Sequence, residues 1–135
     1  MSHVLVTFGF LCMIVATFAG LFLAKSHLLT QADLEKLAAD GDLLKYHQLS
    51  ERYKWRKHVH AHTFLYSILA VVIGLVIPGT AFAPVAVDTL VWALIISVIF
   101  WTGGALRSYR LLMIIGDIGL LGSILTVVVG LVHAL

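Results

Sequence analysis

Four long apolar runs, separated by polar segments that hold nearly all the charge, set the pattern of this chain. The runs cover about 4–24, 59–77, 84–104 and 111–134. Residues 1–24 contain no Lys, Arg, Asp or Glu; Asp88 is the only such residue in 58–106, and Asp117 the only one in 111–135. A helix crossing about 30 Å of hydrocarbon needs about 20 consecutive apolar residues, and each run supplies roughly that length. The expected fold is therefore an all-α integral membrane protein. Residues 1–135 would form a single membrane domain, with four transmembrane helices in an up-down bundle. Met1-Ser2-His3 has no basic n-region and the first run is too long for a signal-peptide core, so it is read as a retained span.

Composition agrees with this pattern. Hydrophobic residues make up 61% and charged residues 12%, against about 25% charged in an ordinary soluble domain. Mean hydropathy is +1.03. The single cysteine, Cys12, lies inside the first run, so an internal disulfide is impossible and a packing role is expected.

Basic residues give the expected orientation. Lys25, Lys36, Lys45, Arg52, Lys54, Arg56 and Lys57 fall between the first two spans, and Arg107 and Arg110 fall between the last two. All nine Lys and Arg lie in these two loops, and residues 78–87 have none. By the positive-inside rule both basic loops face the cytoplasm and both termini face out, as periplasmic ends of a bacterial inner-membrane protein.

The loop 25–57 reads as a cytoplasmic amphipathic helical segment. Thr30 is placed to cap a first helix, with Asp33 near its N-terminus. Asp40-Gly41 reads as its end. Asp42 can cap a second helix that puts Leu43, Tyr46, Leu49 and Tyr53 on one face and runs on into span two. Tyr53, Trp55 and the surrounding cations suit anionic lipid headgroups better than nucleic acid. Pro78-Gly79 is expected to end span two, and Asp88 to cap span three. Each span also carries a small-residue pair at i and i+4: Ala16/Gly20, Ala70/Gly74, Ala93/Ser97 and Gly119/Ser123. Such pairs let helix backbones approach in lipid, where the hydrophobic effect cannot drive association.

Candidate chemistry is concentrated where the basic loop enters span two, at Lys57-His58-Val59-His60-Ala61-His62. On a helix His58 and His62 share a face, with Tyr66 one turn further on, while His60 points nearly opposite. An i, i+4 histidine pair can chelate a transition metal. Zinc requires three or four protein ligands, and His27, at a similar level on span one, or Asp117 would have to add to the set. His58, His62 and His27 are equally the candidate haem ligands. His3 and His133 read as polar residues at the outer headgroup level.

Asp117 is the second sharp feature. It lies seven residues beyond Arg110 and His62 five beyond Lys57, which places them about 10 Å and about 7–8 Å into their spans at 1.5 Å per residue. An intramembrane aspartate costs about 2.5–3.5 kcal/mol on insertion scales and should have a partner. His62 and Asp117 are expected to meet across the bundle, with Tyr66, Ser67 or Arg107 joining them, as a proton relay or a metal site.

Three functions follow from these residues. One is a haem- or metal-binding subunit, or homo-oligomer, of a respiratory electron-transfer complex. Another is a structural accessory subunit among other membrane subunits. The third is a proton-coupled channel or transporter oligomer using Asp117 and His62. The chain has no phosphate-binding glycine loop, no nucleophile elbow, no Cys pair for zinc or iron–sulfur and no Cys-x-x-Cys-His for covalent haem attachment.

Overall fold

The computed structural model describes residues 1–135. Four helices follow in order: α1 (Ser2–Ala39), α2 (Leu43–Val76), α3 (Pro84–Arg107) and α4 (Arg110–Val132), with a 3₁₀ turn at Ile77–Gly79 after α2. All four are long and apolar enough to cross a membrane, as expected of an integral membrane protein. The two long helices α1 and α2 pack along each other, as do α3 and α4, and smaller contacts of α3 with α1 and α2 join the two pairs.

The element boundaries have local causes. Pro78 stops α2, and Pro84 starts α3 from its N1 position, where its missing N–H and fixed φ cost nothing. At the end of α1, Gly41 takes φ +71°. Its N–H bonds to the carbonyl of Ala38, and that of Asp42 to the carbonyl of Leu37, which is the Schellman closure. The same closure ends α3, with Ser108 in the left-handed position at φ 58° and Tyr109 N bonded to Gly104 O at 2.8 Å. Asp42 caps α2 as expected, accepting from Lys45 N at 3.2 Å.

Three expectations are corrected. Thr30 does not cap a helix. Residues 25–39 continue α1 without a break because they contain neither Pro nor Gly, and the Thr30 hydroxyl donates back to Ser26 O at 2.9 Å. The segment 25–57 is therefore no separate helical module but the continuation of α1 and α2 beyond the apolar runs, closed by the turn at 40–42. Of its expected apolar face, Leu49 and Tyr53 are half-buried while Leu43 and Tyr46 are exposed. Finally, Asp88 does not cap α3: the helix begins a turn earlier, at Pro84 after Ala83, and has no side-chain cap.

Small residues carry the helix crossings. A Cβ on Gly9 would lie 2.9 Å from the Ser67 carbonyl of α2, and one on Gly116 would lie 2.7 Å from the backbone of both Ser97 and Trp101 on α3. Ala16, Ala70, Gly74, Ser97 and Ser123 from the expected pairs are buried, whereas Ala93 is exposed. The buried core gathers Leu5, Tyr66, Ala70, Ile73, Leu94 and Trp101 with their neighbours. Val15, Phe18 and Phe22 on α1 are more than 60% exposed, an apolar outer surface suited to lipid tails.

Candidate functional site

Helical geometry puts Trp55, His58, His62 and Tyr66 in one ascending row on α2, each three or four residues from the last. The row packs around Trp101 of α3, which is 1% exposed. Ring centroids of His58 and His62 lie 4.0 Å apart. Trp101 lies 5.2 Å from His62 and meets Tyr66 edge-on at 5.0 Å. Trp55 stacks on His58 at 5.6 Å and donates its indole N–H to Ala105 O at 3.2 Å, tying α2 to the end of α3.

The row ends on Asp117. The Tyr66 hydroxyl donates to Asp117 Oδ1 at 2.5 Å, joining α2 to α4. His62 makes no direct hydrogen bond to Asp117; it lies one step back, its ring 5.9 Å from that of Tyr66. Tyr66 is thus the group between them, while Ser67 is occupied by its own Thr63 carbonyl and Arg107 is exposed at the end of α3. Asp117 itself is exposed on α4, with its bonded oxygen turned toward Tyr66. Gly116 fixes this position, because only a residue without a side chain lets α4 lie against Trp101.

The remaining histidines are dispersed. His27 bonds through Nδ1 to the Tyr53 hydroxyl, between α1 and α2. His60 faces α1, where a Cβ on Gly20 would come within 2.6 Å of its ring. His3 is exposed near the N-terminus, and exposed His133 contacts its own Val129 carbonyl at 2.8 Å. No three His, Cys, Asp or Glu side chains are grouped to hold a metal ion, so His27, Asp117 and the His58–His62 pair do not converge as one ligand set.

Trp101, which is not among the candidate residues drawn from the sequence, is the hub of the row. The available signal was depth. Trp101 lies six residues before Arg107, about 9 Å into its span at 1.5 Å per residue, level with His62 and Asp117. Compared with known proteins, the chain matches no protein-family model, no curated protein and no solved structure.

Proposed function

We propose that this protein handles protons inside the membrane, as an oligomer or as a subunit of a larger membrane complex. The hydrogen bond from Tyr66 to Asp117 carries this reading. A titratable row leads to it from the basic border of span two, through His58 and His62. In this relay the tyrosine passes its hydroxyl proton to the Asp117 carboxylate and regains one from the His62 side. The His62–Tyr66 step runs through water, since no direct bond joins them. The four spans form an up-down bundle in a bacterial-type inner membrane, with the basic loops cytoplasmic and both termini periplasmic. Asp117 is exposed on α4, and an aspartate facing lipid costs about 2.5–3.5 kcal/mol. A second copy or a partner subunit therefore covers that face.

The test is proton flux in liposomes under a potassium–valinomycin potential. Wild-type protein should acidify or alkalinise the lumen faster than protein-free vesicles, Asp117→Asn should abolish the difference, and His62→Ala should reduce it. Flux equal in wild type and Asp117→Asn, or no flux in wild type, overturns the relay.

The 4.0 Å contact of His58 with His62 supports a second reading. These two rings act as half of a haem or transition-metal site, completed by a neighbouring subunit. An absorption spectrum with elemental analysis of the purified oligomer decides it: a Soret band or stoichiometric metal, lost in His62→Ala, is the expected result, and a colourless, metal-free oligomer refutes it.

A further inference from the structure

A second site lies on the other side of α2, away from the Tyr66–Asp117 row. A cavity of about 620 Å³ opens between α1, α2 and the end of α3, within the roughly 300–1,000 Å³ of small-molecule sites. Two buried side-chain polar atoms in the protein lack a hydrogen-bond partner, His60 Nδ1 and Thr102 Oγ1. Both residues line this cavity. The contrast with other helical hydroxyls is informative. Those of Thr30, Ser67, Ser97 and Ser123 each return to the carbonyl four residues back, but that of Thr102 does not. Buried polar groups are normally satisfied, and an orphan calls for a partner.

The cavity lining is graded along the axis of α2. At its mouth stand Arg52 and Arg56, one turn apart on α2, exposed and in no ion pair, since the salt bridges are Lys45–Asp42 and Lys54–Glu51. His60, four residues past Arg56, lies about 6 Å deeper along α2 at 1.5 Å per residue, and Thr102, five residues before Arg107, lines the same cavity from α3. Deeper still, Val15, Ala16 and Ala19 of α1 make an apolar wall.

We infer that this cavity holds an anionic phospholipid as a resident ligand. Cations at the mouth, hydrogen-bonding groups one level down and an apolar floor match the phosphate, glycerol-ester and acyl-chain layers of such a lipid. Basic pockets between spans on the positively charged side are suited to anionic headgroups. Arg52 and Arg56 clamp the phosphate, and His60 and Thr102 donate to the ester oxygens. Gly20 is what admits the His60 ring to this position, since any Cβ there would collide with it. The inference is independent of the proton relay: Trp55 borders both the cavity and the row, but His58, His62, Tyr66 and Asp117 do not line the cavity.

The test uses the full-length protein in detergent, titrated with phosphatidylglycerol and phosphatidylcholine and read by native mass spectrometry and thermal stability. Phosphatidylglycerol should bind at least tenfold more tightly than phosphatidylcholine, at one molecule per chain. Arg52→Gln with Arg56→Gln should remove that preference. Thr102→Val with His60→Ala should weaken both lipids about tenfold. Lys36→Gln, an exposed cation away from the cavity, should change nothing. Equal binding of the two lipids by wild-type protein overturns the inference without recourse to any variant. So does an equal effect of Lys36→Gln, which would mean diffuse surface attraction. Displacement by inorganic phosphate alone would assign a free-anion site instead, and displacement by a prenylated benzoquinone a quinone site; either overturns it.

Discussion

Tyr66→Phe removes one oxygen atom and tests the link on which the relay depends. The ring stays, and with it the edge-on contact to Trp101 at 5.0 Å and the contact to His62 at 5.9 Å. What is lost is the only hydrogen bond to the Asp117 side chain. Hydrogen bonds between neutral side chains in membrane bundles average about 0.6 kcal/mol and reach about 1.7. Those to charged groups are worth about 1.5–3 kcal/mol. The acceptor is a carboxylate oxygen, and bonds to carboxylates are the charge-assisted kind, so the larger range applies. Tyr66→Phe should therefore lower unfolding free energy by about 1.5–3 kcal/mol, some ten- to more than one-hundred-fold in the folded-to-unfolded ratio.

The assay is reversible unfolding in mixed micelles, run as a double-mutant cycle with Asp117→Leu. In the Asp117→Leu background the same Tyr66→Phe change should cost less than about 0.5 kcal/mol, because the hydroxyl no longer has its acceptor. An equal cost in both backgrounds would refute the reasoning, since the value of the hydroxyl would then lie elsewhere. A small cost in both would show that the α2–α4 junction does not rest on this bond.

Gly116→Ala should be more damaging than its one added methyl suggests, because the new Cβ would meet helix backbone at 2.7 Å rather than a flexible side chain; loss of the folded species on size-exclusion chromatography should exceed that of Gly122→Ala, where the space is open. The two left-handed positions should respond in opposite directions: Gly41→Ala should destabilise and Ser108→Gly stabilise, each by about 1 kcal/mol, since an L side chain pays about 1–2 kcal/mol there. The turn between α1 and α2 should also loosen in acid. The Lys45 ammonium, bonded to the Asp42 side chain at 2.6 Å, holds that carboxyl below its usual range. A depressed folded value means the stabilisation is present above the unfolded value of about 3.8 and is lost as pH falls through the folded one. Protection of the Leu43–Tyr46 amides, measured against their intrinsic exchange rates, should therefore fall below about pH 4 in wild type, with no such step in Asp42→Asn.

Span number and the helix ends were legible in the sequence for one reason: lipid forces every backbone group to bond within its own helix, so apolar length, Pro78, Pro84 and Gly41 mark the spans directly. Capping was less legible. Asp42 behaves as its position predicts, yet Thr30 and Asp88 are also of capping type and sit inside helices. A residue type only permits a cap; whether a helix starts there depends on whether anything interrupts the preceding turn, and nothing interrupts α1 before Asp40. Within the site, sequence gave the face shared by His58, His62 and Tyr66 and the depth of Asp117, because both follow from helical rise and rotation alone. It did not give which residue stands between His62 and Asp117, nor that Trp101 is the hub, because these depend on how α2, α3 and α4 are rotated against one another. That rotation is set by close approaches such as Gly116 against Trp101, which a single chain does not declare. The same limit hid the cavity: His60 looked like the odd residue of its triplet, and its significance appears only when α1 brings Gly20 against it and α3 brings Thr102 to the same space. The alternation of the histidines thus places them on two faces of α2, His58 and His62 in the row around Trp101 and His60 in the cavity lining, and a substitution on either face should leave the packing of the other intact.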